Sequence, residues 1–239
     1  MTLPIRDNLN DIQKRIKNAC MRSNRRFKEV RLLLATKTVS AEDILVALRA
    51  GETLIAENTV QELKQKHGPL KTIPHETHFI GHLQSNKIKE VIKYVSCIQS
   101  LDRLSTAQKL QNRLEYEDKT MDVFLQINTS YEESKFGIPP ENALEFAKQV
   151  HEFDRILIKG LMTIGLLSVQ AGKVRKCFRL LKDIQQNMLD QGLPVKELSM
   201  GMSSDLEMAV EEGATIVRVG TAIFGRRPYP DSYYWNENT

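Results

Sequence analysis

Three short stretches of this sequence bring together residue types that could act on a small anionic ligand. Lys37 follows Leu32-Leu33-Leu34-Ala35-Thr36, an apolar run that reads as a buried strand. An amine leaving the end of such a strand is partly desolvated, which lowers its pKa and is what an imine-forming lysine requires; a surface lysine at a strand end is the ordinary alternative. The second stretch is Ser199-Met200-Gly201-Met202-Ser203-Ser204-Asp205, ahead of a helix. Small residues and hydroxyls there meet unsatisfied backbone N–H groups at the positive end of a helix dipole, a setting suited to phosphate. Ordinary capping of the helix by Ser and Asp accounts for the same residues. The third stretch is Val217-Arg218-Val219-Gly220-Thr221, in which the glycine admits a ligand close to the backbone and Thr221 offers a hydroxyl.

Such residues act together only if a scaffold gathers them. Runs fit for strands fall at 30–36, 53–56, 77–80, 97–100, 122–127, 156–162, 197–199 and 215–218. Helical stretches lie between them, most clearly at 41–50, 86–94, 103–116, 140–151 and 173–191, with Ser40 as an N-cap and Gly51 as a stop for the first of these. About eight strands alternating with helices predict an α/β fold, a parallel sheet closed as a (β/α)₈ TIM barrel, with a doubly wound open sheet as the competitor. Ile5, Leu9, Ile12, Ile16 and Ala19 share one helical face, so an additional N-terminal helix precedes the barrel, within residues 1–28. No linker or composition shift divides the chain, which predicts one domain over residues 1–239, with 228–239 (Tyr229, Tyr233, Tyr234, Trp235) as a terminal extension. In a barrel the second and third stretches occupy the loops after strands 7 and 8, the usual phosphate site of that fold. A ligand that uses Lys37 as well carries both an aldehyde and a phosphate, and pyridoxal 5′-phosphate (PLP) has both on one rigid ring.

Composition narrows the class. The chain has 239 residues, 41% hydrophobic and 27% charged, enough apolar material for a core. The formal net charge is only +4, and no aromatic-interleaved basic patch appears, which speaks against a nucleic-acid partner. The longest stretch without a charge, from Gly160 to Gly172, is far shorter than the ~20 residues of a membrane span. Arg6, Asp7, Asp11, Lys14, Arg15 and Lys17 leave no apolar core for a secretory signal, so a cytoplasmic protein is expected. Cys20, Cys97 and Cys177 are far apart without metal-ligand spacing and read as reduced thiols.

The sequence resembles the YggS/PROSC-type pyridoxal phosphate homeostasis proteins, which have the fold of the alanine racemase N-terminal domain. The resemblance spans Leu9 to Arg226. It is carried by Leu34-Ala-Thr-Lys37, Glu57-Asn58 with Gln61-Glu62, the stretch from His78 to Lys87, Gly160-Leu-Met162, Met200 to Asp205, and Val217 to Gly225. The likeness implies Lys37 as the Schiff-base lysine, Ser203, Gly220 and Thr221 as phosphate ligands, and Arg218 facing the pyridine nitrogen. Asn58 either bonds the ring hydroxyl or caps a helix, and Met200 packs in the pocket or the core. His78 and His82 either pack on the ring or serve as hydrogen-bonded structural residues. Ala56 and Gly165 depart from the family pattern, away from the lysine and phosphate positions. The implied function is PLP binding and homeostasis without substrate turnover, as a monomer, with PLP-dependent apo-enzymes as recipients. A small amino-acid racemase is the rival. Racemases of this fold take a second base, a tyrosine, from an additional domain, and an always-protonated arginine at the ring nitrogen would weaken the ring as an electron sink.

Overall fold

The computed structural model describes residues 4–225, so the extension expected at 228–239 lies outside the described residues. Eight strands form the wall: β1 (Arg31–Ala35), β2 (Leu54–Glu57), β3 (Glu76–Phe79), β4 (Cys97–Leu101), β5 (Met121–Gln126), β6 (Ile156–Met162), β7 (Glu197–Ser199) and β8 (Ile216–Val219). They pair in parallel in chain order and close, β1 against β8, through the register Arg31↔Ile216 to Leu34↔Val219. The closed barrel is thus the architecture, and the open doubly wound sheet is excluded. Short connections explain it, because each strand–helix unit returns the chain to the edge it has just left.

Alternation along the strands sorts their side chains into two cores. Leu32, Leu34, Ile55, Phe79, Ile98, Val123 and Leu161 face the helices and belong to the main hydrophobic layer. Leu33, Leu54, Ala56, Cys97, Phe124, Met162 and Ile216 form a second cluster that fills the barrel. Interior filling is what makes a barrel of this size a solid core rather than a pore. At the strand starts, charged residues close the floor: Arg31 Nη2 lies 2.8 Å from Glu76 Oε1, and Lys159 Nζ lies 3.4 Å from Asp122 Oδ1.

Around this wall run α1 (Ile5–Arg22), α2 (Ala41–Arg49), α3 (Val60–Leu70), α4 (Ile88–Val91), α5 (Leu104–Tyr116), α6 (Ala143–His151), α7 (Ala171–Asp190), α8 (Leu206–Glu211) and α9 (Thr221–Phe224). Ser40 caps α2 as expected, its Oγ accepting the Asp43 N–H at 3.1 Å. The helix expected at 86–94 holds only the single α turn of α4. Its flanks are wound by i→i+3 bonds, Lys87 N–H to Gln84 O and Tyr94 N–H to Val91 O, which tighten the chain before it turns into β4. All three cysteines are buried and free. None of the helices among the described residues is long and apolar enough to cross a membrane.

Candidate functional site

Parallel strands place everything that follows them at one mouth of the barrel. Lys37 leaves β1 there, half-buried, with the same parity as the interior residue Leu33. It sits in a four-residue turn in which the Val39 N–H donates to Thr36 O at 2.9 Å. The third residue of that turn, Thr38, has φ +66, a conformation that costs a β-branched side chain energy.

Directly across the β1–β8 seam, the loops after β7 and β8 meet. Gly201 (φ +89) lets the first of them fold tightly onto α8, because a Cβ there would lie 2.3 Å from that of Ala209. Asp205, at the N-cap of α8, makes no forward cap. Its Oδ1 instead accepts the Met202 N–H at 2.6 Å, closing the loop on itself. Ser203 Oγ accepts the Ala222 N–H at 3.4 Å, tying this loop to the first turn of α9 just after Gly220. From outside, α1 braces the loop: Arg15 Nη2 donates to Ser203 O at 3.0 Å and its Nε to Glu207 at 2.6 Å. Ser203 is half-buried, Gly220 buried and Thr221 exposed, so the two tied loops form a shallow cup that carries hydroxyls and backbone amides at the mouth.

Between this cup and the barrel core lies Arg218. It is 6% exposed; Nη1 donates to Ser199 Oγ at 2.9 Å and Nη2 to the Thr163 carbonyl at 2.8 Å. Burial brings its guanidinium down to about 10, opposed by Asp205 nearby, so it stays charged at neutral pH. With the guanidinium donating into Ser199, the serine hydroxyl donates to Gln99 Oε1 at 2.6 Å. Gln99 Nε2 then donates to His78 Nδ1 at 2.8 Å, which leaves the ring proton on Nε2, 3.6 Å from Glu76 Oε2. A buried chain of donors thus runs from the mouth to the floor. Gln99 escaped the sequence reading. The signal for it was a large polar residue at the parity of the interior Cys97 in a fully buried strand.

A second polar cluster lies outside the wall, behind Lys37. Glu57, at the end of β2 and 1% exposed, accepts the Thr36 hydroxyl at 2.5 Å and Lys66 Nζ at 2.9 Å through Oε1. Burial outweighs the attraction of Lys66 and pushes the carboxyl of Glu57 up to about 7. Its Oε2 has no hydrogen-bond partner among the described residues. From α3, Lys66 Nζ also donates to Thr36 O at 2.8 Å and to Glu62, while both Glu62 oxygens accept the Thr38 N–H at 3.1 Å.

The remaining candidates divide. Thr59, not Asn58, is the residue that caps α3, its Oγ1 accepting the Glu62 N–H at 3.3 Å, so the capping alternative for Asn58 falls. Asn58 stays at the mouth after β2, half-buried, its carbonyl pressed against Gly81, where a Cβ would lie 1.9 Å away. Met200 is fully buried in the layer between sheet and helices, so its side chain is not brought to the mouth with the others. His82 stacks on Phe136 at 3.8 Å, and its Nε2 accepts from Arg103 Nη2 at 2.9 Å. In the loop after β5, Asn128 Nδ2 donates to Glu132 O at 2.9 Å, and Lys135 Nζ is engaged by Glu132 and by Gly165 O at 2.8 Å.

A parallel barrel with an amine after its first strand and a loop pair rich in hydroxyls and backbone amides after its last two defines a class, and residues 5–228 match the sequence model of the alanine racemase N-terminal domain family. A pyridoxal phosphate homeostasis protein of Aquifex aeolicus is 39% identical over 93% of this chain and 98% of its own. The structure of PipY from Synechococcus elongatus, solved with PLP bound, superposes with a TM-score of 0.79 at 32% identity over 90% of this chain and all of that one. The chain belongs to the alanine racemase N-terminal domain family and, within it, to the pyridoxal phosphate homeostasis proteins. Alanine racemase of Clostridium difficile shares the fold, with a TM-score of 0.73 at 17% identity; this chain covers 58% of it.

Proposed function

We propose that this protein binds PLP at the barrel mouth, attached covalently through Lys37, and serves the homeostasis of that cofactor without turning over a substrate of its own. The observation that carries the reading is the placement of one half-buried amine opposite a cup of hydroxyls and amides, with a buried guanidinium between them. The donor set fits the group. Ser203, Gly220 and Thr221 would hold the phosphate, and Asn58 would meet the ring hydroxyl. Arg218 would face the ring nitrogen. When bound, PLP supplies an aldehyde that links to an amine and a ring that can draw electrons from it. Arg218 opposes the second property, because a guanidinium that stays charged leaves the ring nitrogen without a proton. The relatives' printed names and the bound PLP in PipY support the same reading, and PLP-dependent apo-enzymes are its natural recipients.

The test is chemical trapping. Borohydride treatment of the PLP-loaded protein should fix the ring to one lysine, and peptide mapping should find it on Lys37. Lys135 is already engaged by Glu132 and the Gly165 carbonyl; a label there with Lys37 unmodified would overturn the site. Incubation with D- and L-amino acids should give no turnover beyond slow side reactions, and multiple-turnover racemisation would favour the racemase.

A further inference from the structure

We propose that Glu62 and Lys66, on the outer face of the barrel wall, are positioning residues for Lys37, clamping the two peptide groups on either side of its Cα. The inference rests on the reading of Lys37 as the residue that links to PLP. The Thr36–Lys37 peptide is held by its carbonyl, which accepts Lys66 Nζ at 2.8 Å as well as the Val39 N–H. The Lys37–Thr38 peptide is held by its N–H, which donates to both oxygens of Glu62 at 3.1 Å. Glu62 and Lys66 lie four residues apart on α3 and are bonded to each other, so the clamp is one unit.

Two further observations show why a clamp is needed. Thr38 sits at φ +66, where a glycine would be at ease and a threonine is strained, so the turn holds its shape only if something outside it over-determines that shape. Glu62 bonds the strained residue's own amide. The other end is fixed by Thr36, whose N–H and hydroxyl both donate to Ala56 O at 3.0 Å and whose hydroxyl also reaches Glu57. With both flanking peptides fixed, the direction of the Cα–Cβ bond of Lys37 is set, at the parity of the interior residue Leu33. Preorganisation of this kind favours the covalent step, in which Nζ bonds the aldehyde carbon and the carbonyl oxygen leaves as water with the two amine protons.

The clamp acts on the lysine and leaves the phosphate cup alone, because the cup is built on β7, β8 and α1. Glu62→Ala should therefore weaken PLP, which can form the link, by about tenfold or more. It should leave unchanged the affinity for pyridoxine 5′-phosphate, which has the phosphate and ring but no aldehyde. Glu62→Gln keeps one acceptor oxygen for Thr38 and should restore part of the loss. In the unliganded full-length protein, amide hydrogen exchange at Thr38 should quicken in Glu62→Ala, a readout independent of ligand. Lys66→Met, which frees the Thr36 carbonyl, should repeat the selective loss if it folds. If the wild-type protein binds both ligands equally and borohydride traps no link at Lys37, the reading of Lys37 itself fails. If the wild type forms the link and Glu62→Ala forms it as tightly, or loses both ligands alike, the clamp is refuted while that reading stands.

Discussion

Glu57→Gln offers a quantitative test of which force governs the cluster behind Lys37. The wild-type carboxyl is almost wholly buried, and burial raises it from 4.5 to about 7 against the pull of Lys66. In the unfolded chain it loses its proton near 4.5, whereas in the folded protein it keeps the proton until about 7. Over that window the folded state binds the extra proton, so stability falls as pH rises. The separation corresponds to about 3 kcal/mol, fully present below pH 4.5 and gone above pH 7. Glutamine has nearly the same shape and does not titrate. Groups remote from this cluster titrate alike in both proteins, so the wild-type stability minus that of the variant isolates Glu57 together with its partners Glu62 and Lys66. Urea unfolding at half-unit steps from pH 4.5 to 8 should show this difference dropping by about 3 kcal/mol and then levelling. A difference that stays flat, or that rises with pH, would mean that the carboxylate is ionised throughout and that Lys66 outweighs burial.

Other expectations are simpler. Ser203→Ala with Thr221→Ala should weaken PLP far more than pyridoxal, since hydrogen bonds to a charged group contribute ~1.5–3 kcal/mol each; equal losses in calorimetry would remove both residues from the proposed phosphate site. Arg218→Glu should raise slow half-transamination of alanine at matched PLP occupancy, seen as pyridoxamine phosphate formation. It should also lower the unfolding midpoint, because a carboxylate would then face the Thr163 carbonyl. Gly81→Ala should cost about 2 kcal/mol or more and weaken PLP binding, because its Cβ cannot fit 1.9 Å from the Asn58 carbonyl without displacing that residue; an unchanged thermal midpoint and affinity would show that the loop gives way freely.

How far the sequence revealed this depends on whether the signal is local. Parallel strands buried on both faces read as apolar runs, which is why Leu32–Leu34 could be placed, and Ile156–Met162 is apolar enough around Lys159 to be placed with it and the barrel inferred. Lys37 stood out because it ends such a run. Helix α3 could not be delimited, since Gly68 and Pro69 break the expected pattern yet sit in its last turn. The polar groups behind the site escaped for a different reason. Glu57, Lys66 and Thr36 come from three elements and look like ordinary polar residues until the wall curves them together. Gln99 and Ser199 lie in different strands and become partners only across the barrel interior.

The seam between β1 and β8 has a consequence of its own. It joins the earliest strand to the latest, so its pairing is the most sequence-distant in the wall and carries the largest loop-closure cost. Lys37 lies on one side of that seam, and Ser203, Gly220 and Thr221 lie on the other. On the proposed reading the ligand is a latch across the join: a chain still emerging from the ribosome has half a grip and holds nothing until its last strand docks. Occupancy then stabilises the finished barrel across that join. A protein built this way couples the storing of its cargo to its own completeness, and protease resistance near the seam should rise and fall with the supply of the molecule it keeps.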